Sequence, residues 1–330
     1  MFLIDYILIE NGGENLSRTK KKRRIRWGRI FGAFFFLGIF LIGLFNVIQY
    51  ISETIIALSQ PLATTANTHS FQGKKTEDKL DPINVLLLGS DSRGEEQART
   101  DTIMVAHYNP QSHQIKLISL MRDMYVSIPD YGQHKLNTSF SHGGPDLLRQ
   151  TIKENFGLDI HYYAIVDFKG FEKAVDILAP NGIEVDVPYE MSYGIGMTLE
   201  EGKQRLHGTE LLGYVRFRHD RLSDFGRIQR QQEVISKLKE EAVSINSMAN
   251  LPKLLDLLHT YVDTNIETST LLQIGKSILT EKSRDVETLR IPEEGSFENN
   301  RYEGIGEVLE VDFDQNQESI NKFLAKDNSF

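Results

Sequence analysis

Residues Ile83 to Thr102 read INVLLLGSDSRGEEQARTDT. Apart from Asn84, the first six residues are apolar, and Gly89 closes the run. A short, continuous apolar stretch of this kind predicts a strand buried on both faces. A loop of charged and small residues follows, and the chain turns apolar again at Ile103. In α/β sheets ligands gather just past the carboxyl ends of such strands. This one stretch therefore predicts both the sheet and the place of a site.

Working outward, DTIMVAHY (Asp101–Tyr108) and QIKLISL (Gln114–Leu120) flank Asn109-Pro110-Gln111-Ser112-His113 and predict a hairpin. Gly143-Gly144-Pro145 predicts a helix running to about Phe156, with Pro at its first turn and Gly157 at its end. The strand HYYAIV leads into a helix-patterned FKGFEKAVDIL, and Gly182 precedes the strand IEVDVP. ELLGYVRFRHD (Glu210–Asp220) reads as containing a short strand, and RIQRQQEVISKLKEEA reads as a helix. LPKLLDLLHTYV and TLLQIGKSIL read as two more helices, and VETLRI as another strand. Strands interleaved with helices around a hairpin predict an α/β fold with a mixed central sheet covered by helices on both sides. The region 81–330 is read as one such domain, without internal repeats.

Upstream lies a different kind of sequence. Of the chain's 37 Lys/Arg and 46 Asp/Glu, eight and three lie in residues 1–29, giving that tail net +5. The 29 and 43 that remain leave everything after it at net −14. A region that acidic lacks the basic footprint of generic nucleic-acid binding. Ile30 to Val47 is apolar on every helical face, with Asn46 its only polar residue and no charge. Eighteen helical residues span about 27 Å, close to the hydrocarbon core of a bilayer. We therefore expect a cytoplasmic tail (1–29), a transmembrane signal anchor (30–50), an extracellular tether (51–80) and an extracellular domain (81–330). The chain would sit in the cell membrane as a single-pass type II protein. The apolar stretch is longer than that of a cleaved signal peptide, and only Ala63–Ala66 loosely suggests a cleavage site. The chain has no cysteine, which excludes disulfides, thiolate metal sites and cysteine nucleophiles.

Three stretches carry chemistry. In the first, Arg99 and Asp101 stand two apart at a strand start, and Asp91 on the preceding loop is positioned to converge with Asp101. Two carboxylates beside an arginine suit a hard divalent cation such as Mg²⁺ shared with phosphate oxygens. A solvated loop with a surface ion pair is the plain alternative. In the second, Arg122 and Asp123 end an apolar strand, and Lys135 follows; a charged pair capping a strand has an ordinary structural reading as well. In the third, Gly213 to Ile235, strand geometry would point Tyr214, Arg216 and Arg218 one way. Asp224, Arg227 and Gln231 then fall on one face of the next helix. Three arginines and a glutamine meeting near a helix N-terminus suit a strongly anionic ligand, because guanidinium forks take phosphate oxygens in pairs. Salt bridges to nearby acids are the alternative. No H-E-x-x-H, G-x-S-x-G, Walker A or G-x-G-x-x-G is present, and Gly194-x-Gly196 reads as a turn.

From Ile83 to about Glu241 the chain resembles the LytR-CpsA-Psr family, in its MsrR-like branch. The resemblance rests on GSDSR (Gly89–Arg93), RTDT (Arg99–Thr102), MRD (Met121–Asp123), KLN (Lys135–Asn137), VRFRHD (Val215–Asp220) and DFGRIQRQQ (Asp224–Gln232). It implies an α/β/α fold and a phosphotransferase that moves a glycopolymer, of wall teichoic acid or capsular polysaccharide type, from undecaprenyl pyrophosphate to peptidoglycan. Carried over by motif, Asp91 and Asp101 would hold Mg²⁺ (or Mn²⁺). Arg99, Arg122, Arg216, Arg218, Arg227 and Gln231 would bind the pyrophosphate, with Arg93 and Lys135 as further contacts. Many members have Pro where this chain has Met121. Asp224 is our expected acid for deprotonating the sugar hydroxyl. A non-catalytic polyprenyl-pyrophosphate binder or a regulatory membrane protein would need the same arginines. The resemblance assigns nothing after about Glu241.

Overall fold

The computed structural model describes residues 69–76, 78, 80–90, 100–220, 224–242, 256–257, 260–267, 269–271, 274–275 and 286–325. The expected tail and membrane anchor lie outside these residues, as does most of the expected tether and most of the two helices read at 251–262 and 270–279.

In chain order the elements are β1 (Ile83–Ser90), β2 (Thr100–Asn109), β3 (Gln114–Leu120), β4 (Met124–Ile128), β5 (Gly132–Lys135), α1 (Leu136–Phe156), β6 (Tyr162–Asp167) and α2 (Phe168–Leu178). There follow β7 (Ile183–Val187), β8 (Gly202–Leu206), α3 (Gly208–Arg216), α4 (Asp224–Ala242), β9 (Val262–Thr264), β10 (Glu287–Ile291), β11 (Phe297–Tyr302), β12 (Gly306–Val311) and α5 (Phe313–Ala325). The fold is mixed α/β. Its six-stranded sheet runs β10-β3-β2-β1-β6-β9, with β1 antiparallel to β2 and parallel to β6.

The apolar run of β1 is buried on both faces, as its composition requires. Leu86 and Leu88 join the main core with Val105, Ile118 and residues of α1. Ile83, Val85 and Leu87 face the other way, against Tyr108, Ile115 and Ile266. This alternation is the period-two signature of a strand sandwiched between layers. The hairpin forms as expected, with Asn109 opposite Gln114 and Ile103 opposite Leu120. Gly143 and Gly144 break the helical backbone, Pro145 resumes it, and Gly157 ends it in the left-handed conformation at φ 69°.

Three features depart from the sequence reading. The single sheet is three among the described residues: beside the large one stand a four-stranded sheet, β11-β12-β4-β5, and the pair β7-β8. The C-terminal segment fills out the first two. β10 extends the large sheet beside β3, and β12 lies parallel to β4. Finally, the strand read within Glu210–Asp220 is a helix through Arg216. Its backbone starts with His207 N–H donating to Glu210 Oε2 at 3.0 Å and Gly208 N–H to Asp176 Oδ1 at 2.9 Å. Leu211, Leu212, Tyr214 and Val215 are all buried, and their spacing forms one helical face. The alternation seen from Tyr214 to Arg218 was the end of that face running into an extended residue, Phe217.

Candidate active site

The charged residues converge where β2, β3 and α4 meet. A bulge begins it. Gly89 pairs with Thr102 and Ser90 with Thr100, so Asp101 has no partner across the ladder. Bulges re-aim side chains in this way. The buried Thr100 hydroxyl lies 3.0 Å from the Gly89 carbonyl oxygen and 2.9 Å from that of Thr102, fixing the kink. Freed from the sheet, the Asp101 carbonyl oxygen accepts a hydrogen bond from Arg227 Nη2 at 2.9 Å.

Arg122 and Asp123 stand where the chain passes from the large sheet to the small one. Met121 N–H donates to the Ile291 carbonyl at 2.9 Å, Asn137 N–H to the Arg122 carbonyl at 3.1 Å, and Leu309 N–H to the Asp123 carbonyl at 3.0 Å. The dipeptide is therefore clamped by strands from both sheets. Lys135, the last residue of β5, reaches Asp123 Oδ1 at 2.9 Å.

Helix α4 brings the third set. Gln231 Nε2 donates to Thr102 Oγ1 at 3.0 Å and Gln232 Nε2 to Ser119 Oγ at 3.0 Å, so the helix is pinned to β2 and β3. Its first residue, Asp224, is a hub for three guanidinium groups: Arg227 Nη2 at 2.9 Å, Arg122 Nε at 3.3 Å and Arg218 Nε at 3.6 Å. Asp101 takes Arg122 on Oδ1 and Arg218 Nη2 on Oδ2, the latter at 2.7 Å. Behind them Arg230 is buried and braced by Asp220 at 2.8 Å, by the carbonyls of Tyr214 and Phe217, and through Asp220 by Tyr189.

A cavity of about 300 Å³ opens on this network, lined by Gly89, Asp101, Thr102, Phe168, Tyr193, Gly194, Val215, Arg216, Arg218, His219, Arg227 and Gln231. The predicted residues thus divide. Asp101, Arg216, Arg218, Arg227 and Gln231 form its wall; Arg122, Lys135 and Asp224 do not line it, although Arg122 and Asp224 are paired with residues that do. Asp91, Arg93 and Arg99 lie outside the described residues. Sequence reasoning did not select Phe168, Tyr193, His219 or the Arg230–Asp220 brace. Phe168 and Tyr193 come from distant segments, and only the glycines beside Tyr193 marked its loop.

The electrostatics of the cluster are dominated by its arginines. Arg227 is almost wholly buried, yet its Nε and Nη1 have no acceptor among the described residues. Burial pushes its pKa down to about 10, against the attraction of Asp224 and with the repulsion of Arg218 and Arg122. Arg216 has no carboxylate partner among the described residues; its guanidinium lies over the Phe168 ring at 4.3 Å. Burial would raise the Asp101 carboxyl, but the charges of Arg122 and Arg218, with the Arg122 hydrogen bond, outweigh it and hold it below its usual value. This gives a signed expectation. An unfolded aspartate titrates near about 3.9, so the stability that Asp101 contributes is present above that pH and is lost as pH falls through its lower folded value. Urea unfolding across pH 2–5 should show a shallower acid loss in Asp101→Asn than in the wild type; parallel curves would contradict the assignment.

The LytR_cpsA_psr family model matches residues 46–322. The chain belongs to the LytR_cpsA_psr family. Among its LytR_cpsA_psr relatives, the regulatory protein MsrR of Staphylococcus aureus (strain COL) is 42% identical over 265 residues, 80% of this chain and 80% of that protein. The polyisoprenyl-teichoic acid–peptidoglycan teichoic acid transferase TagU of Oceanobacillus iheyensis is 31% identical over 265 residues, 76% of this chain and 82% of TagU. The fold matches solved structures. TagT bound to LIIa-WTA aligns with TM-score 0.62 and 27% identity, over 80% of this chain and 98% of that one. The LytR-CPS2A-psr family protein YwtF (TagT) with bound octaprenyl pyrophosphate lipid aligns with TM-score 0.56 and 25% identity, over 80% and 95%.

Proposed function

We propose that this chain is a phosphotransferase that moves a glycopolymer, of wall teichoic acid or capsular polysaccharide type, from undecaprenyl pyrophosphate to a hydroxyl of peptidoglycan. The observation that carries this reading is the buried edge of Arg227, whose Nε and Nη1 nitrogens have no acceptor among the described residues, on a cavity wall shared with Arg216 and Arg218. Orphaned buried donors are costly, and phosphate oxygens are the acceptors that guanidinium forks suit best. The chemistry of the named relatives supports the choice of ligand: TagU is named for teichoic acid transfer, and YwtF holds octaprenyl pyrophosphate.

In this reading the peptidoglycan hydroxyl oxygen bonds to the phosphorus that carries the glycan. The bond from that phosphorus to the bridging oxygen breaks, and polyprenyl phosphate leaves, while the hydroxyl's proton passes to the leaving phosphate or to solvent. Such transfer depends on positioning and charge stabilisation, which Arg216, Arg218 and Arg227 supply on the cavity wall. Arg122 and Lys135 support them without lining the cavity, Gln231 fixes the helix that carries Arg227, and Arg93 and Arg99 are carried over by motif. Asp101 fits a share in a divalent site. Its side chain is 43% exposed on the wall, and each oxygen holds one arginine, leaving lone pairs over. With Asp91 it would hold Mg²⁺ (or Mn²⁺), whose charge, when bound, offsets that of the pyrophosphate oxygens. We assign Asp224 to holding three arginines in place of the deprotonating role expected from sequence, because its oxygens face guanidinium groups and it does not line the cavity.

The reading also places the chain in the cell membrane as a type II protein, anchored by residues 30–50, with its α/β/α layers outside. Nucleic acid is not a partner, since the chain beyond residue 29 is net −14. The test uses the whole chain in detergent with a synthetic polyprenyl-pyrophosphate glycan, Mg²⁺ and uncrosslinked peptidoglycan strands. A linked product is expected, lost with EDTA and lowered about 10²- to 10³-fold in Arg218→Ala, the scale for removing one charge-stabilising donor. Tight lipid binding without product, where a known transferase succeeds, would make the chain a binding module.

A further inference from the structure

We propose that Tyr193 and His219 form a stacking platform for the first sugar ring on the pyrophosphate. Tyr193 is 71% exposed, the most exposed large apolar side chain among the described residues, yet its ring is held. It lies against the His219 imidazole with centroids 4.5 Å apart. The backbone forces it outward. Met191 and Leu199 bridge with N–H···O distances of 2.9 and 2.8 Å, and Met191 and Ile195 are buried on either side of it. Gly194 and Gly196, at φ 74° and 76°, let the loop turn between these anchors.

Both rings line the cavity that holds the arginines. His219 directly follows Arg218, whose guanidinium grips Asp101, so the platform begins one residue from the charged floor. A phosphate alone needs no aromatic wall, and a polyprenyl chain needs an enclosed apolar channel, whereas Tyr193 faces solvent. A pyranose has an apolar C–H face and a polar rim, which suits an exposed aromatic surface with water beside it. The volume, about 300 Å³, is at the small end for ligand sites and suits a head group. This inference rests on the pyrophosphate reading above and deepens it: the site would select for the sugar as well as the diphosphate.

The experiment compares the binding of two lipids to the whole chain in detergent: a polyprenyl pyrophosphate bearing one N-acetylhexosamine, and the same lipid without sugar. The wild type should prefer the sugar-bearing lipid by about fivefold to tenfold, the scale of one ring-stacking contact. Tyr193→Ala should bring the ratio of the two affinities to about one, and Tyr193→Phe, which keeps the ring, should preserve it. An unchanged ratio in Tyr193→Ala would overturn the proposal. So would an effect confined to the KM for peptidoglycan strands, which would move the platform to the acceptor. Failure of the wild type to bind either lipid is a separate result and would overturn the pyrophosphate reading itself, and the platform with it.

Discussion

Asp224→Ala is expected to lower the unfolding free energy by about 3 to 5 kcal/mol, the usual cost of removing one partner from a buried ion network. Asp224 is 12% exposed in its side chain and faces Arg122, Arg218 and Arg227. Among the described residues of the network four cations (Arg122, Lys135, Arg218, Arg227) meet three carboxylates (Asp101, Asp123, Asp224). Deleting Asp224 leaves four against two. Arg227 suffers most, because its remaining acceptor among the described residues is the Asp101 carbonyl oxygen. Asp224→Asn keeps the shape and one acceptor oxygen and should lose less than the alanine variant. Inorganic pyrophosphate should restore part of the melting temperature of Asp224→Ala, because it returns negative charge to the same arginines. Urea unfolding and thermal melts with and without pyrophosphate measure these effects. A loss below about 1 kcal/mol, the range of a surface pair, would show that Asp224 does not hold the cluster.

The core of this arrangement was legible before any coordinates, for a physical reason. The buried run of β1, the turn residues of the β2–β3 hairpin and the i, i+3, i+7 spacing of Asp224, Arg227 and Gln231 are local signals, and local signals survive folding. The helix containing Tyr214 and Arg216 was misread because its apolar run is too short for periodicity to separate helix from strand. Arg216 and Arg218 nevertheless reach one cavity, since the helix ends between them. The bulge at Asp101 was invisible, because it exists only in the register between two strands. The second sheet was missed for a similar reason: β4 finds β12 across more than 180 residues, a pairing with no local trace. Lys116 shows the same limit. It reads as an ordinary polar residue of a hairpin strand, yet it is fully buried, and its ammonium donates to the Phe323 carbonyl at 2.6 Å near the end of α5.

Arg227→Met is expected to do the opposite of Asp224→Ala to stability while also abolishing function. The depression of Arg227 to about 10, well below the usual arginine range, means that its buried surroundings disfavour the charged form. The sign is fixed by linkage. Above about pH 10 the unfolded chain still holds the proton that the folded chain has lost, so the penalty is full at neutral pH and is relieved only in that alkaline range. Methionine removes the buried charge and the two nitrogens that have no acceptor among the described residues, and it keeps most of the length. It also removes the bonds to Asp224 and to the Asp101 carbonyl, but Asp224 still has Arg122 and Arg218, so no carboxylate is stranded. The melting temperature of the ligand-free protein should therefore hold or rise by a few degrees. Affinity for a polyprenyl pyrophosphate should fall by at least about 10²-fold, because two charge-assisted bonds at about 1.5 to 3 kcal/mol each are lost. Calorimetric melts and lipid binding on the same preparation decide it. If Arg227→Met melts well below the wild type, the guanidinium is a structural strut; if it melts no lower and fails to bind, the fold carries that charge for its ligand.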